Sequence, residues 1–359
     1  MGSCTVGIHA VYRSTGATLP YGNLLAAHGV AMEGYFWRVT DPASGRVVIA
    51  LIGVNRDAAG AHWSTLGLAG HPGGFLAVDA HPEGFADPRR LAVSAGSALV
   101  ADERSVRVEL GPRARLELTV ANPQPWPRRR LGGSSGFQAV PGLNQYWHPW
   151  LLGGRATGRA TLDDDVWDFA DAEVYAEKNW GREGFPDSWW WGQAQGFGDG
   201  ACVAFAGGQV TAGPLHTEVT ALVVRLPDGG LVRLGNPVTS PVRARVTDHR
   251  WLVRGRSRGW QVEVEGHAPL SDAHVLPVPL PSQRRNVPGA IEHLGATMSV
   301  TVRRDRRVVW RGSSAVAALE HGGLERAAVE LGRRGVHVDG TGAGPQDVLR
   351  PEPPEAPSG

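Results

Sequence analysis

Between Asn144 and Phe197 the chain gathers seven of its 13 tryptophans: Trp147, Trp150, Trp167, Trp180, Trp189, Trp190 and Trp191. Threaded among them are Gln145, His148, Asp168, Asp171, Glu173, Glu177, Lys178, Asn179, Gln193 and Gln195. A buried tryptophan taken singly is usually core or a hydrogen-bonded wall. A simple core, however, needs few polar partners, and this mixture describes an aromatic cavity with a few placed polar groups, as small-molecule sites have. Desolvation raises the pKa of a carboxyl in such surroundings, which suits a general acid. Glu177 is the first candidate, Asp168 the second and Glu33 the third. Tryptophan faces attract cations, so Trp180, Trp189 and Trp191 are candidates to face a developing positive charge, with Trp147 in the same wall. Asn179, Gln193, Gln195 and His148 are candidates to hold hydroxyl oxygens, and Glu292-His293 forms a further polar pair.

The competing structural readings are specific. Lys178, the only lysine in the chain, is a further candidate to hold substrate, but beside it Glu177 also reads as half of an internal ion pair. Neighbouring residues on a strand face opposite sides. Glu177 and Asn179 therefore share one face while Lys178 and Trp180 share the other, and only one pair can line a pocket. Alternation likewise puts Trp189 and Trp191 together and Trp190 behind them. His148, immediately before Pro149, reads more readily as a loop histidine with a structural hydrogen bond.

Several segments resemble the tocopherol cyclase family in order and spacing. They are Asn144-Gln145-Tyr146-Trp147-His148-Pro149, Trp167-Asp168, Tyr175-Ala176-Glu177-Lys178-Asn179-Trp180-Gly181, Phe185-Pro186 and Trp189-Trp190-Trp191-Gly192-Gln193. Glu33-Gly34-Tyr35-Phe36-Trp37-Arg38-Val39 resembles the family's opening strand. Leu276-Pro277-Val278-Pro279, Glu292-His293-Leu294 and Val309-Trp310-Arg311-Gly312 resemble its closing segments, so the likeness runs over residues 28–323. The resemblance implies an all-β fold of two lipocalin-like antiparallel units, related to carotenoid-hydratase-like and some pericyclase proteins. It also implies an enzyme of the intramolecular lyase or isomerase kind, in which a prenylated hydroquinone closes to a chromanol without a cofactor. The alkene is protonated, a tertiary carbocation forms, and the phenol oxygen captures it. A hydratase would use the same acid with water as the nucleophile, and a lipocalin-like carrier would need the cavity but no protonated carboxyl.

Other signals carry less. Gly132-Gly133-Ser134-Ser135-Gly136 matches the Gly-x-Ser-x-Gly nucleophile pattern, but that motif needs a strand before the serine and a helix after it. Here a proline- and arginine-rich stretch precedes it, which predicts a loop. The 13 histidines form no His-x-x-x-His or His-x-His pair and the two cysteines, Cys4 and Cys202, are far apart, so neither a metal site nor a disulfide framework is expected.

Short runs at period two between Gly, Pro and Asp turns predict antiparallel strands throughout. Val47–Val54 reads as a buried strand, and Ser105–Leu110 with Arg115–Val120 as a hairpin. The second half repeats the style from Glu218 to Leu319. The only helical spacing is Leu324–Leu331, and past Gly340 the Gly, Pro, Glu and Ser content predicts a disordered tail. A length of 359 residues suggests two domains. We place the division near 165, between an N-terminal unit (1–165) and a C-terminal one (166–325) carrying Glu177–Gly181, with Gly153–Asp165 as the join and 326–359 as helix end and tail. A formal charge of +1 with interspersed signs gives no field for nucleic acid. Arginine in place of lysine, with 49 Gly and 26 Pro, fits a GC-rich bacterial genome. With no apolar window near a bilayer-spanning length and no targeting segment, the sequence points to a cytoplasmic protein. Its expected partner is an apolar prenylated aromatic molecule, collected through transient membrane contact if that molecule resides in a bilayer.

Overall fold

The computed structural model describes residues 8–22, 30–213 and 215–336; the tail expected past Gly340 lies outside them. Two antiparallel sheets account for most of these residues. The first contains β1 (Met32–Asp41), β2 (Arg46–Arg56), β3 (His62–His71), β4 (Leu76–His81), β5 (Phe85–Ala86), β6 (Ala92–Ala95), β7 (Leu99–Asp102), β8 (Ser105–Glu109), β9 (Ala114–Ala121), β10 (Tyr146–Leu151), β11 (Arg155–Leu162) and β12 (Asp165–Gly181). The second contains β13 (Trp189–Ala194), β14 (Cys202–Ala212), β15 (Leu215–Arg225), β16 (Leu231–Leu234), β17 (Val242–Val246), β18 (Arg250–Ser257), β19 (Trp260–His267), β20 (His274–Leu280), β21 (Arg285–Arg304) and β22 (Arg307–Gly322). A short helix α1 (Ile8–Ser14) precedes the strands and α2 (Leu324–Arg333) follows them, as the Leu324–Leu331 spacing predicts.

The sheets follow one plan. Strand order is β4-β3-β2-β1-β12-β11-β9-β8-β7-β6-β5 in the first, with β10 also pairing β12. In the second it is β16-β15-β14-β13-β22-β21-β19-β18-β17, with β20 also pairing β21. Each therefore runs a four-strand meander into a long central strand, which is the doubled lipocalin-like arrangement expected.

Each sheet keeps a core of its own and lends its other face to the neighbour. On β2, Val48, Ala50, Ile52 and Val54 join the first sheet's core. Val47 and Ile49 pack with Trp189, Val275, Leu276 and Val278 of the second sheet. A strand covered on both faces cannot alternate, which is why Val47–Val54 is an unbroken apolar run. Outer strands such as β8 and β9 alternate buried and exposed residues and pair as the expected hairpin.

Two boundaries differ from expectation. Gly153–Asp165 is not a join, because β11 occupies it and pairs with both β9 and β12. Nor does the chain change sheets near 165: the whole of β12 pairs with β1, β10 and β11, so Glu177–Gly181 belongs to the first sheet. The crossing falls between Gly181 and Trp189. Composition could not locate it, since β11 has the Gly and Thr of a linker while its Ala156, Ala160 and Leu162 are buried.

A carboxyl-lined cavity between the sheets

β12 is the strand that matters most. Its first part is largely exposed and its last part, from Ala172, is almost continuously buried. There the parity of the strand separates two polar pairs. Lys178 and Trp180 face away from the second sheet. Lys178 is 2% exposed, and its Nζ donates to Glu33 Oε2 at 2.9 Å. Tyr35 donates to the same oxygen at 3.0 Å, and the ammonium also sits over the Tyr35 and Trp180 rings. Burial lowers the lysine's pKa and the Glu33 charge opposes that shift. Trp180 is fully buried, donates to the Gly16 carbonyl at 2.7 Å and stacks on Tyr146. The ion pair expected near Glu177 thus exists, but it is Lys178 with Glu33.

Glu177 and Asn179 point the other way, into a cavity of about 190 Å3 walled by both sheets. Trp147, Trp189, Trp190, Trp191, Phe36 and Phe185 form its aromatic wall. Glu177 is 6% exposed, and three donors converge on its Oε2: the Tyr175 hydroxyl at 2.6 Å, Trp147 Nε1 at 2.8 Å and Trp191 Nε1 at 2.8 Å. Burial raises its pKa above the ordinary glutamate value, and the three hydrogen bonds pull it partly back. All three go to Oε2, so Oε1 is the oxygen free to carry the proton. No Lys, Arg or His lines the cavity among the described residues.

Two more carboxyls face the same space. Glu292 on β21 and Glu320 on β22 are cross-strand partners. Glu292 is 1% exposed and its Oε1 has no hydrogen-bond partner among the described residues. Burial, and next the Glu320 charge, raise its pKa well above the usual carboxylate range, with Arg38 opposing and Glu177 adding. Glu320 accepts the Trp189 indole N–H, and burial together with the Glu177 charge pushes its pKa up to about 7. The indole N–H groups of Trp189 and Trp191 are therefore both spent on carboxyls, which fixes the rings against the cavity. Trp189 also depends on Gly322, since a Cβ there would lie 1.9 Å from its ring. Likewise a Cβ on Gly34 would lie 2.0 Å from Asn179 Oδ1.

The cavity thus brings together Glu177, Asn179, Trp147, Trp189, Trp191 and Glu292 of the expected residues. The others lie elsewhere. Asp168 is at the surface in a two-pronged pair with Arg159, which holds its pKa below the usual value, so it is no acid for this cavity. Glu33 serves Lys178 on the far face. Gln193 accepts from buried Arg38 at 2.8 Å, and Gln195 donates to the Val174 carbonyl at 3.1 Å, both in the packing between the sheets. His148 accepts from the Gly133 N–H at 3.2 Å, and burial with the Lys178 charge drives its pKa down to about 3, so it is a neutral loop anchor. His293 stands edge-on to Trp251, outside the cavity wall. Ser134 of the Gly-x-Ser-x-Gly match exchanges hydrogen bonds with the Trp147 backbone just before a 3-10 turn, a loop role as expected. Sequence reasoning missed Tyr175, which sits at the edge of the family-like run, and Glu320, which has no signal beyond closing an apolar strand.

Two stacked lipocalin-like sheets around a carboxyl-bearing aromatic cavity define the class of this β protein. Comparison with known proteins narrows it. The profile of the tocopherol cyclase-like family matches residues 114–323, more than half of the chain, and the protein belongs to that family. A probable chloroplast tocopherol cyclase of Oryza sativa subsp. japonica is 29% identical over 153 residues, 39% of this chain and 32% of that one. The chloroplast tocopherol cyclase of Zea mays is 33% identical over 69 residues, covering 19% and 14%. The chain thus matches a third or less of these relatives' length. Among solved structures, CghA in complex with Sch210972 superposes with a TM-score of 0.57 at 12% identity, covering 86% of this chain and 94% of that one. Kievitone hydratase from Nectria haematococca gives 0.52 at 10% identity, covering 86% and 96%. These two show the fold.

Two predictions follow from the electrostatics. Lys178→Met breaks the buried Lys178–Glu33 pair and should cost about 3–5 kcal/mol in chemical denaturation, while adding Glu33→Gln restores most of it. A single-variant loss within error of zero would remove the ion pair from the account. For Glu320, the folded-state pKa is raised from about 4.5 to about 7, so its stability contribution is intact below 4.5 and lost as pH rises through 7. The melting temperature of wild type should therefore fall relative to Glu320→Gln across that window, and parallel curves would contradict it.

Proposed function

We propose that the protein is a cofactor-independent cyclase that closes a prenylated phenol or hydroquinone by alkene protonation and internal oxygen capture, with Glu177 as the acid. The observation that carries this reading is the Glu177 carboxyl: its pKa raised by burial, open to an apolar aromatic cavity through one oxygen, and held by three donors through the other. Those donors are already in place for the carboxylate that forms when the proton leaves, so they stabilise the transition state more than the resting acid. Transfer of the Glu177 proton to the less substituted alkene carbon puts a tertiary cation among the Trp147, Trp189 and Trp191 rings. Cation–π attraction there contributes about 2 kcal/mol once water is excluded. Attack by the phenol oxygen then forms the ether ring.

The walls also select the substrate. A cavity with three carboxyls and no cation among the described lining residues disfavours phosphates and carboxylates. It accepts a neutral molecule with hydroxyl groups, for which Asn179 and Gln145 are polar contacts. A hole of roughly 150 Å3 takes a benzene ring, so about 190 Å3 suits an aromatic head group. Family membership supports the cyclase reading. The superposition on a hydratase recommends the variant in which water replaces the phenol, since the same acid serves both.

Purified protein incubated with a short-prenyl hydroquinone in deuterated water tests this. Wild type should form a chromanol carrying one solvent deuterium at the former alkene carbon. Glu177→Gln should lose 100-fold or more, on the order of general-acid contributions, while Asp168→Asn keeps full rate. Chromanol without deuterium would reject acid initiation, a tertiary alcohol would favour hydration, and tight binding without product would favour a carrier.

A further inference from the structure

Glu177 explains how the reaction begins but not where the proton of the attacking hydroxyl goes. The other two carboxyls in the cavity have no assigned role. Glu292 and Glu320 face each other across β21 and β22, so their side chains leave the same side of the sheet about 5 Å apart at Cβ. Both line the cavity, and the Glu292 Oε1 is buried without a hydrogen-bond partner among the described residues. The Trp189 indole N–H supports Glu320 alone. Two carboxylates this close in an apolar site cannot both ionise readily; the favourable state holds one proton between them.

We propose that Glu292 and Glu320 form a proton-sharing pair, that its monoanion accepts the proton of the nucleophilic hydroxyl, and that Glu177 supplies the proton that starts the reaction. The proposal rests on the cyclase reading for its chemistry but not for the shared proton. The step balances. The Glu177 O–H bond breaks as a C–H bond forms on the alkene, and the phenol O–H bond breaks as its oxygen bonds the tertiary carbon. The phenol proton moves to the Glu320 carboxylate. Glu177 ends ionised and the pair doubly protonated, and one proton passing back restores the resting state without net consumption. Trp191 links the two stations, since its backbone pairs with Glu320 and its indole donates to Glu177.

The charged groups around the pair set the direction of its titration. Glu177 from β12, once ionised, resists ionisation of both members, Arg38 from β1 favours ionisation of Glu292, and the Trp189 N–H from β13 favours ionisation of Glu320. The pair therefore exchanges its proton near the value of about 7 at Glu320.

The full-length protein with 13C-labelled glutamate carboxyls tests the pair by NMR titration without substrate. Two carboxyl signals should move together in one step near 7, with Glu292→Gln and Glu320→Gln each removing one signal and altering the other. Independent titration of both in the ordinary range, about 4.3, would overturn the proposal. A hydroquinone with a saturated chain cannot cyclise and reads binding alone. Its affinity for wild type should rise as pH passes through that step, and Glu320→Gln should flatten the rise; identical profiles would overturn the acceptor role. With the prenylated hydroquinone, Glu320→Gln should lower kcat on the order of 100-fold, with the acidic limb of the pH profile gone. A retained limb would place the acceptor elsewhere. A wild type that makes no chromanol would reject the cyclisation reading, while the shared proton stands or falls on the titration.

Discussion

The structure turns on one constraint: an ionisable side chain taken out of water must find an opposite charge or give up its own. On β12 the two solutions lie on adjacent residues. Lys178 keeps a partner, Glu33, and is closed in by Tyr35 and Trp180. Glu177 faces the second sheet with three neutral donors and no cation among the described lining residues, and burial raises its pKa. Strand parity lets one strand present a carboxyl of raised pKa to a cavity while the neighbouring charge, one residue along, stays on the other side of the sheet.

Two sheets are required for this. A single sheet would leave the Glu177 face in water, where the carboxyl would ionise. Packing β13, β21 and β22 of the second sheet opposite β1 and β12 closes that face with tryptophans. Trp191 of β13 and Trp147 of β10 donate their indole N–H groups to Glu177 and Trp189 of β13 donates to Glu320, so the aromatic wall and the indole hydrogen bonds to the carboxyls come from the same side chains. Rings fixed at one edge offer their faces to the cavity with little reorganisation, which is the condition for stabilising a short-lived cation. Arg38, spanning from β1 to the Leu294 and Val316 carbonyls, Thr40 and Gln193, fastens the two sheets farther along.

Much of this was written in the sequence. Period-two patterning marked the strands, and the apolar run Val47–Val54 signalled a buried strand, which the structure covers on both faces. Alternation also posed the right question about Glu177 and Lys178, although only the packing of the second sheet could answer it. The errors share a cause, which is distance along a strand. Gln193 and Gln195 have the parity of Trp189 and Trp191, but each residue advances about 3.3 Å, so they pass the end of the cavity and meet Arg38 and Val174. Asp168 lies nine positions before Glu177 on β12 and on the exposed stretch of the strand. Glu320 went unseen because its importance comes from pairing with Glu292 and Trp191, contacts made across more than twenty residues of intervening chain or between separate elements.

The central claim is that the resting protein holds Glu177 as a neutral acid. Infrared difference spectroscopy of wild type against Glu177→Gln at neutral pH measures it directly. Wild type should show a protonated-carboxyl C=O band that shifts in deuterated water and is missing from the variant. A difference spectrum showing only carboxylate bands would mean that Glu177 is ionised, and the acid-initiated mechanism would be wrong.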